Sequence, residues 1–345
     1  MKYNFITTGI GSVPFLDVKD TCDFILQFFP DMPFWPQFVK RSICEDMIIQ
    51  FTEGLSFLWV SEDTRSVLAA NKKDLSEKLL NFYEHYLADD IGYFSISYDF
   101  APGLYELVEL VKNSNSMFIK GQSVGPITFA ASIVDNDGVA IINNPDLLEA
   151  CVKGIAIKGL WQTIKLKESG KIPILFFDEP YLSNIGSAFS TIPRDQVIEL
   201  LKETITYIKK REHVIIGIHC CGNTDWSMIV DIKPDIISFD AFSYLDNLFL
   251  YKDNLINFFK NGGVLAWGVV PTTDPDFEVN ADIDKLFLIL KKGLNYIRNW
   301  GIDFKLISQS SILTPACGMG NMNPVNTKKA VEILSKLSKK IIHII

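Results

Sequence analysis

Histidine is scarce in this 345-residue chain: His85, His213, His219 and His343 are the whole supply. A histidine set beside cysteines is therefore conspicuous. Basic charge is also short, with 33 Lys and Arg against 41 Asp and Glu, a formal net charge of −8. That excludes an electrostatic nucleic-acid binder, which needs basic stripes. No apolar run reaches the ~18 residues of a membrane-spanning helix. The opening Met1-Lys2-Tyr3-Asn4-Phe5-Ile6 has one basic residue and a short apolar stretch, unlike a secretory signal. Six cysteines are too few for a disulfide scaffold. The expected setting is the cytoplasm, where thiols serve as core residues, ligands or nucleophiles.

What is present is globular. Hydrophobic residues are 48% and charged residues 21%, enough apolar material for a large core and too little charge for disorder. Short apolar runs alternate with amphipathic stretches. Strands are expected at Phe5–Ile10, Phe34–Phe38, Phe94–Tyr98, Met117–Lys120, Ile172–Phe177, Val214–His219, Ile236–Phe239, Val264–Trp267 and Phe304–Ser308. Helices are expected at Asp74–Leu87, Pro145–Leu166, Arg194–Lys210, Ile283–Trp300 and Val325–Ile341. Runs such as Ile172-Pro173-Ile174-Leu175-Phe176-Phe177 suit parallel strands covered on both faces. The alternation predicts an α/β fold: one (β/α)8 TIM barrel over residues 1–345, with an N-terminal elaboration. A doubly wound sheet is the alternative.

In a barrel, chemistry sits where the strands end. Nearly every run here ends in small or polar residues: Gly11-Ser12, Tyr98-Asp99, Gln122-Ser123, Asp178-Glu179-Pro180, His219-Cys220-Cys221-Gly222-Asn223 and Asp240-Ala241. The opposite ends have no such pattern, which points to an enzyme. Side chains two apart on a strand share a face, so His219 and Cys221 converge while Cys220 points away. Imidazole nitrogen and thiolate sulfur are first-choice zinc ligands. Cys317, in Thr314-Pro315-Ala316-Cys317-Gly318, could complete the set, and Asp240 could add an oxygen. A lone His-Cys-Cys run is more often ordinary packing than a metal site, because cysteine is among the most buried residues.

Taken in order, Ile10-Gly11-Ser12-Val13-Pro14, Asp178-Glu179-Pro180, His219-Cys220-Cys221-Gly222-Asn223 and Thr314-Pro315-Ala316-Cys317-Gly318 give the chain a family likeness. It resembles the superfamily of cobalamin-independent methionine synthase, methylcobamide:coenzyme M methyltransferase and uroporphyrinogen decarboxylase. The resemblance covers nearly the whole chain and implies a (β/α)8 barrel equivalent to the C-terminal half of the synthase. It implies zinc held by His219, Cys221 and Cys317, with Asp240 near the place of a further ligand. It implies that Ser12 contacts the backbone of homocysteine and that Asp178 pairs with its ammonium. The bland readings are a turn after a strand for Ser12 and a helix cap for Asp178.

The implied reaction is methyl transfer to a zinc-bound thiolate, since zinc deprotonates a thiol that is mostly protonated at neutral pH. Two departures matter. The synthase carries a second carboxylate where this chain reads Val39-Lys40-Arg41-Ser42, so Arg41 is a candidate clamp for an acidic thiol, or else a surface charge. The synthase also has an acid/base histidine where this chain reads Gly268-Val269-Val270-Pro271. With one barrel, the expected methyl donor is methylcobalamin or another methylcorrinoid, free or on a corrinoid protein, rather than methyl-folate. Homocysteine is the leading acceptor, with coenzyme M or another acidic thiol behind it. A decarboxylase-like lyase without zinc and a zinc-holding subunit without turnover remain as other classes.

Overall fold

The computed structural model describes residues 2–187 and 190–344. Among the described residues there are nine strands: β1 (Ile6–Thr7), β2 (Leu58–Ser61), β3 (Ser66–Ala69), β4 (Phe118–Val124), β5 (Ile172–Asp178), β6 (Ile215–Cys220), β7 (Ile236–Asp240), β8 (Val264–Val270) and β9 (Ser311–Pro315). Seven form one parallel sheet in the order β1-β9-β8-β7-β6-β5-β4. β2 and β3 pair as a separate antiparallel hairpin that the sequence patterning did not signal.

Between the two edges of that curled sheet runs the segment 34–37. Phe34 bridges Lys120 of β4, and Gln37 bridges Ser12 just past β1, both in the parallel sense. The Trp35 amide donates to the Lys120 carbonyl at 2.8 Å, and the Gln37 amide to the Gly11 carbonyl at 3.1 Å. Each bridge is a single contact, so the expected Phe34–Phe38 strand does not form a ladder. β1 is clipped at its start because Asn4 (φ 48°) and Phe5 (φ 60°) are left-handed.

Two expected strands are absent. Residues 94–98 are turn and irregular backbone, with Phe94 and Ile96 buried in the main core. Phe304–Ser308 lies within a helix, Phe304–Gln309, because the Asp303 carboxylate caps it by accepting from the Lys305 amide at 2.8 Å. The last strand comes later, at Ser311–Pro315. The five expected helices all occur, the longest as Pro145–Lys167 and Pro324–Ile344. No described helix is long and apolar enough to cross a membrane.

Helices cover the outer face of the sheet, as near-wholly buried strands require. The inner face carries a small apolar cluster that includes Phe118, Ile174, Phe176, Ile236, Val264 and Ile312. Period-two alternation then sets Asp178 above Phe176, His219 above Gly217, Ser238 above Ile236 and Thr314 above Ile312. The interior is therefore apolar where strands begin and polar where they end. Lys120 marks the change: its buried ammonium donates to the Ile10 carbonyl at 2.7 Å and to Gln122 Oε1 at 3.1 Å, and lies 4.5 Å from the centre of the Phe176 ring.

A second buried lysine gives a stability test. Lys158, on the helix Pro145–Lys167, donates to the Phe94 carbonyl at 3.1 Å. Burial pushes its pKa down to about 7, opposed by Glu53. A depressed folded pKa contributes stability that is present above the unfolded value of 10.5 and lost as pH falls through about 7. Urea titrations should therefore show a smaller gain between about pH 6 and about pH 9 in Lys158→Met than in the native chain. An unchanged gain would remove Lys158 from the account.

Candidate metal centre and substrate cavity

A cavity of about 290 Å³ opens at the strand ends. His219, Cys221 and Cys317 line it, together with Ser12 and Asp178. The segment 37–47 contributes Gln37, Val39, Glu45, Asp46 and Met47.

His219, the penultimate residue of β6, lies on the inner face and is buried. Its Nδ1 lies 2.9 Å from Ser238 Oγ on the neighbouring strand, where the two residues are direct partners. That contact fixes the ring and leaves Nε2 buried with no partner. Cys220 turns outward into the core, as the alternation requires, while Cys221 faces the cavity. One ligand atom from each of His219, Cys221 and Cys317 falls within 4.8 Å of the others.

The neighbouring Cys317 thiol, then the His219 ring, pushes the Cys221 pKa down to about 4, and the nearness of Cys221 pushes Cys317 up. One nitrogen, the orphaned buried Nε2 of His219, and two sulfurs form a donor set that fits zinc. Packing alone explains neither the missing partner on Nε2 nor the thiol pair at a cavity wall.

Cys317 sits on the loop after β9. That loop is tied to Ser12, whose carbonyl accepts from the Met319 amide at 2.9 Å and whose Oγ accepts from the Gly320 amide at 3.2 Å. A Cβ at Gly318 would collide with Ser12 Oγ, so glycine permits this close approach. Ser12 is thus both a cavity residue and a support for the cysteine loop.

Asp178 ends β5 with Oδ1 buried and unpartnered. Burial pushes its pKa up to about 6, opposed by His219 and Lys120. The helix cap belongs to its neighbour: Glu179 accepts from the amides of Ile127 (2.9 Å) and Thr128 (2.8 Å) and from the Thr128 hydroxyl (2.6 Å). Asp178 is left free to meet a ligand.

Two expected site residues stand apart. Asp240 is outside the three-residue group; its Oδ1 accepts from the Ser243 amide at 2.8 Å. The helix Ala241–Phe249 begins directly after β7, so this carboxylate becomes its cap. Arg41 does not line the cavity; it forms an ion pair with Glu45 at 3.1 Å.

Sequence reasoning missed Glu45, Asp46 and Ser238. Glu45 is fully buried, accepts from the Phe38 amide at 2.8 Å, and has its pKa raised by that burial. The spacing Ser42-x-x-Glu45 was a local capping signal, but a place on the cavity wall could not be read from it.

No family model matches the chain, and no curated protein matches its sequence. Among solved structures, it is similar to the putative vitamin-B12-independent methionine synthase from Listeria monocytogenes, at 11% identity, covering 99% of each chain, with a TM-score of 0.59. It also matches a B12-independent methionine synthase from Shewanella sp. W3-18-1 in complex with selenomethionine, at 16% identity and a TM-score of 0.45, covering 68% of this chain and 66% of that one. The chain thus shares, along its full length, the fold of the Listeria monocytogenes protein.

Proposed function

We propose that this chain is a zinc-dependent thiol methyltransferase built on a closed (β/α)8 barrel, with homocysteine as acceptor. The observation that carries the reading is the His219, Cys221 and Cys317 group in one cavity with Asp178, Glu45 and Asp46. Closure of the barrel rests on the bridges made by Phe34 and Gln37.

Three carboxylates and no lysine or arginine line that cavity, so it favours a thiol bearing an ammonium. An acidic thiol such as coenzyme M would meet like charge, and Arg41, its proposed clamp, is held by Glu45. A decarboxylase-like lyase has no use for an orphaned imidazole beside two thiols.

His219, Cys221 and Cys317 would hold the metal, which supplies a Lewis acid able to lower the pKa of a substrate thiol. Ser238 holds the His219 ring in place. Asp178, with Glu45 lining the same cavity, takes the substrate ammonium and so positions the sulfur. In the overall reaction the thiol loses its proton and its sulfur bonds the methyl carbon. The bond from methyl to donor breaks, and its electron pair stays with the donor. The proposed donor is a methylcorrinoid, free or on a partner protein, by resemblance to the methylcobamide branch.

Steady-state assays with methylcobalamin and with a methyl-folate should show methyl transfer to homocysteine from the corrinoid. Asp178→Asn should raise KM for homocysteine about 10- to 100-fold, the loss of one charge-assisted contact. Transfer to coenzyme M but not homocysteine, or an unchanged KM in the variant, would overturn the acceptor assignment. A zinc-loaded protein that methylates no thiol would point instead to a subunit without turnover.

A further inference from the structure

Cys317 has no strand beneath it, unlike His219, and its position depends on what holds its loop. β9 ends at Pro315, and the Ala316 amide donates to the Val270 carbonyl at 2.8 Å. Ser12 holds Met319 and Gly320. Lys40 Nζ donates to the Met322 carbonyl at 2.9 Å. At the far end the loop meets Asp274, at the start of the helix Asp274–Asn280 that follows β8.

The Asp274 carboxylate accepts from the Asn323 amide at 3.0 Å, from Asn323 Nδ2 at 3.0 Å and from Asn326 Nδ2 at 2.9 Å. Asn323 Oδ1 in turn accepts from the Asn326 amide at 2.8 Å, which caps the helix Pro324–Ile344. One carboxylate therefore pins the exit of the cysteine loop to two helix starts. Bonds to an ionised acceptor are the strong kind.

We infer that Asp274 is the positioning residue for Cys317: it fixes the loop's exit so that the thiol reaches Cys221 and His219. This rests on the metal-site reading above, yet Asp274 lines no part of the cavity and is not one of the three grouped residues. A ligand carried on a loop needs its anchor to hold geometry to a fraction of an ångström. The Asp274 carboxylate is that anchor on the side away from Ser12.

The test uses the full chain as native, Asp274→Ala and Asp274→Asn, with folding checked by circular dichroism. Zinc affinity is read by competition with a chromogenic chelator, and the thiolate ligands by charge-transfer absorption of the cobalt(II)-loaded protein. In the metal-free protein, alkylation of Cys317 by iodoacetamide is compared with that of Cys44 by mass spectrometry. Asp274→Ala should lose about 10- to 100-fold in zinc affinity. It should also lose cobalt–thiolate intensity, and its Cys317 should alkylate about tenfold faster. Asp274→Asn, which keeps an acceptor, should fall between, and it carries the test should the alanine variant not fold. Native zinc affinity and native Cys317 alkylation in a folded variant would overturn the inference. A native chain that takes up no zinc would overturn the proposed function instead, and the alkylation rates would still decide the role of Asp274.

Discussion

Cys221→Ala and Cys317→Ala are each expected to abolish stoichiometric zinc binding, and with it methyl transfer. The native chain should carry about one zinc, the capacity of a single three-ligand site. Each sulfur supplies one of only three donors, and the remaining pair lacks a second thiolate to hold the ion. His219→Ala should act in the same direction, since its Nε2 is the one nitrogen in the group and Ser238 already occupies the other side of the ring. Metal analysis after dialysis against a weak chelator checks the binding. X-ray absorption at the zinc edge, with and without homocysteine, checks the thiol: one added sulfur neighbour is the expected result. Cys151→Ala is the control, because that thiol is buried among apolar side chains away from the cavity, and burial holds its pKa well up. Full zinc in both Cys221→Ala and Cys317→Ala would dismantle the proposed centre.

The second large effect concerns stability. Glu179→Ala should destabilise the fold by about 3–5 kcal/mol, the cost of leaving several buried donors without an acceptor. Glu179 is fully buried and serves three donors at the start of the helix Pro126–Ser132. Burial pushes its pKa up to about 7 against those same hydrogen bonds. Its own amide donates to the His219 carbonyl at 2.8 Å, so the change would also reach the end of β6. Glu179→Gln should cost less, because an amide oxygen still accepts from part of the set. Urea midpoints at neutral pH measure both. A Glu179→Ala chain within ~0.5 kcal/mol of native would mean that water or a local shift satisfies the freed donors.

Glu179 and Asp178 also show where local reading stopped. Both belong to one acidic pair at a strand end, and composition assigns them the same character. The strand's alternation separates them: Asp178 points inward with a free oxygen, and Glu179 points outward under a helix. Arg41 shows the converse. As a basic residue replacing an expected carboxylate it suggested an acidic substrate, yet four residues later Glu45 supplies a carboxylate to the cavity and engages the arginine. Asp240 was placed correctly at a strand end, but the helix follows without a loop and takes the side chain as its cap.

The parallel strands were legible because their apolar runs are long and unbroken, which only two-sided burial explains. The convergence of His219 and Cys221 was legible because period two is a property of the extended backbone itself. Phe304–Ser308 misled because its apolar content suits either period, and the Asp303 cap decides for helix. The meeting of Cys317 with His219 and Cys221 was expected from the ordered motifs but from no local pattern, whereas the Ser238 support, the carboxylates of residues 45 and 46 and the Asp274 anchor were decided by tertiary structure alone. Local pattern records which way a side chain leaves its own strand. Which distant loop arrives opposite it depends on how the sheet curls, and that is set by packing summed over the whole core.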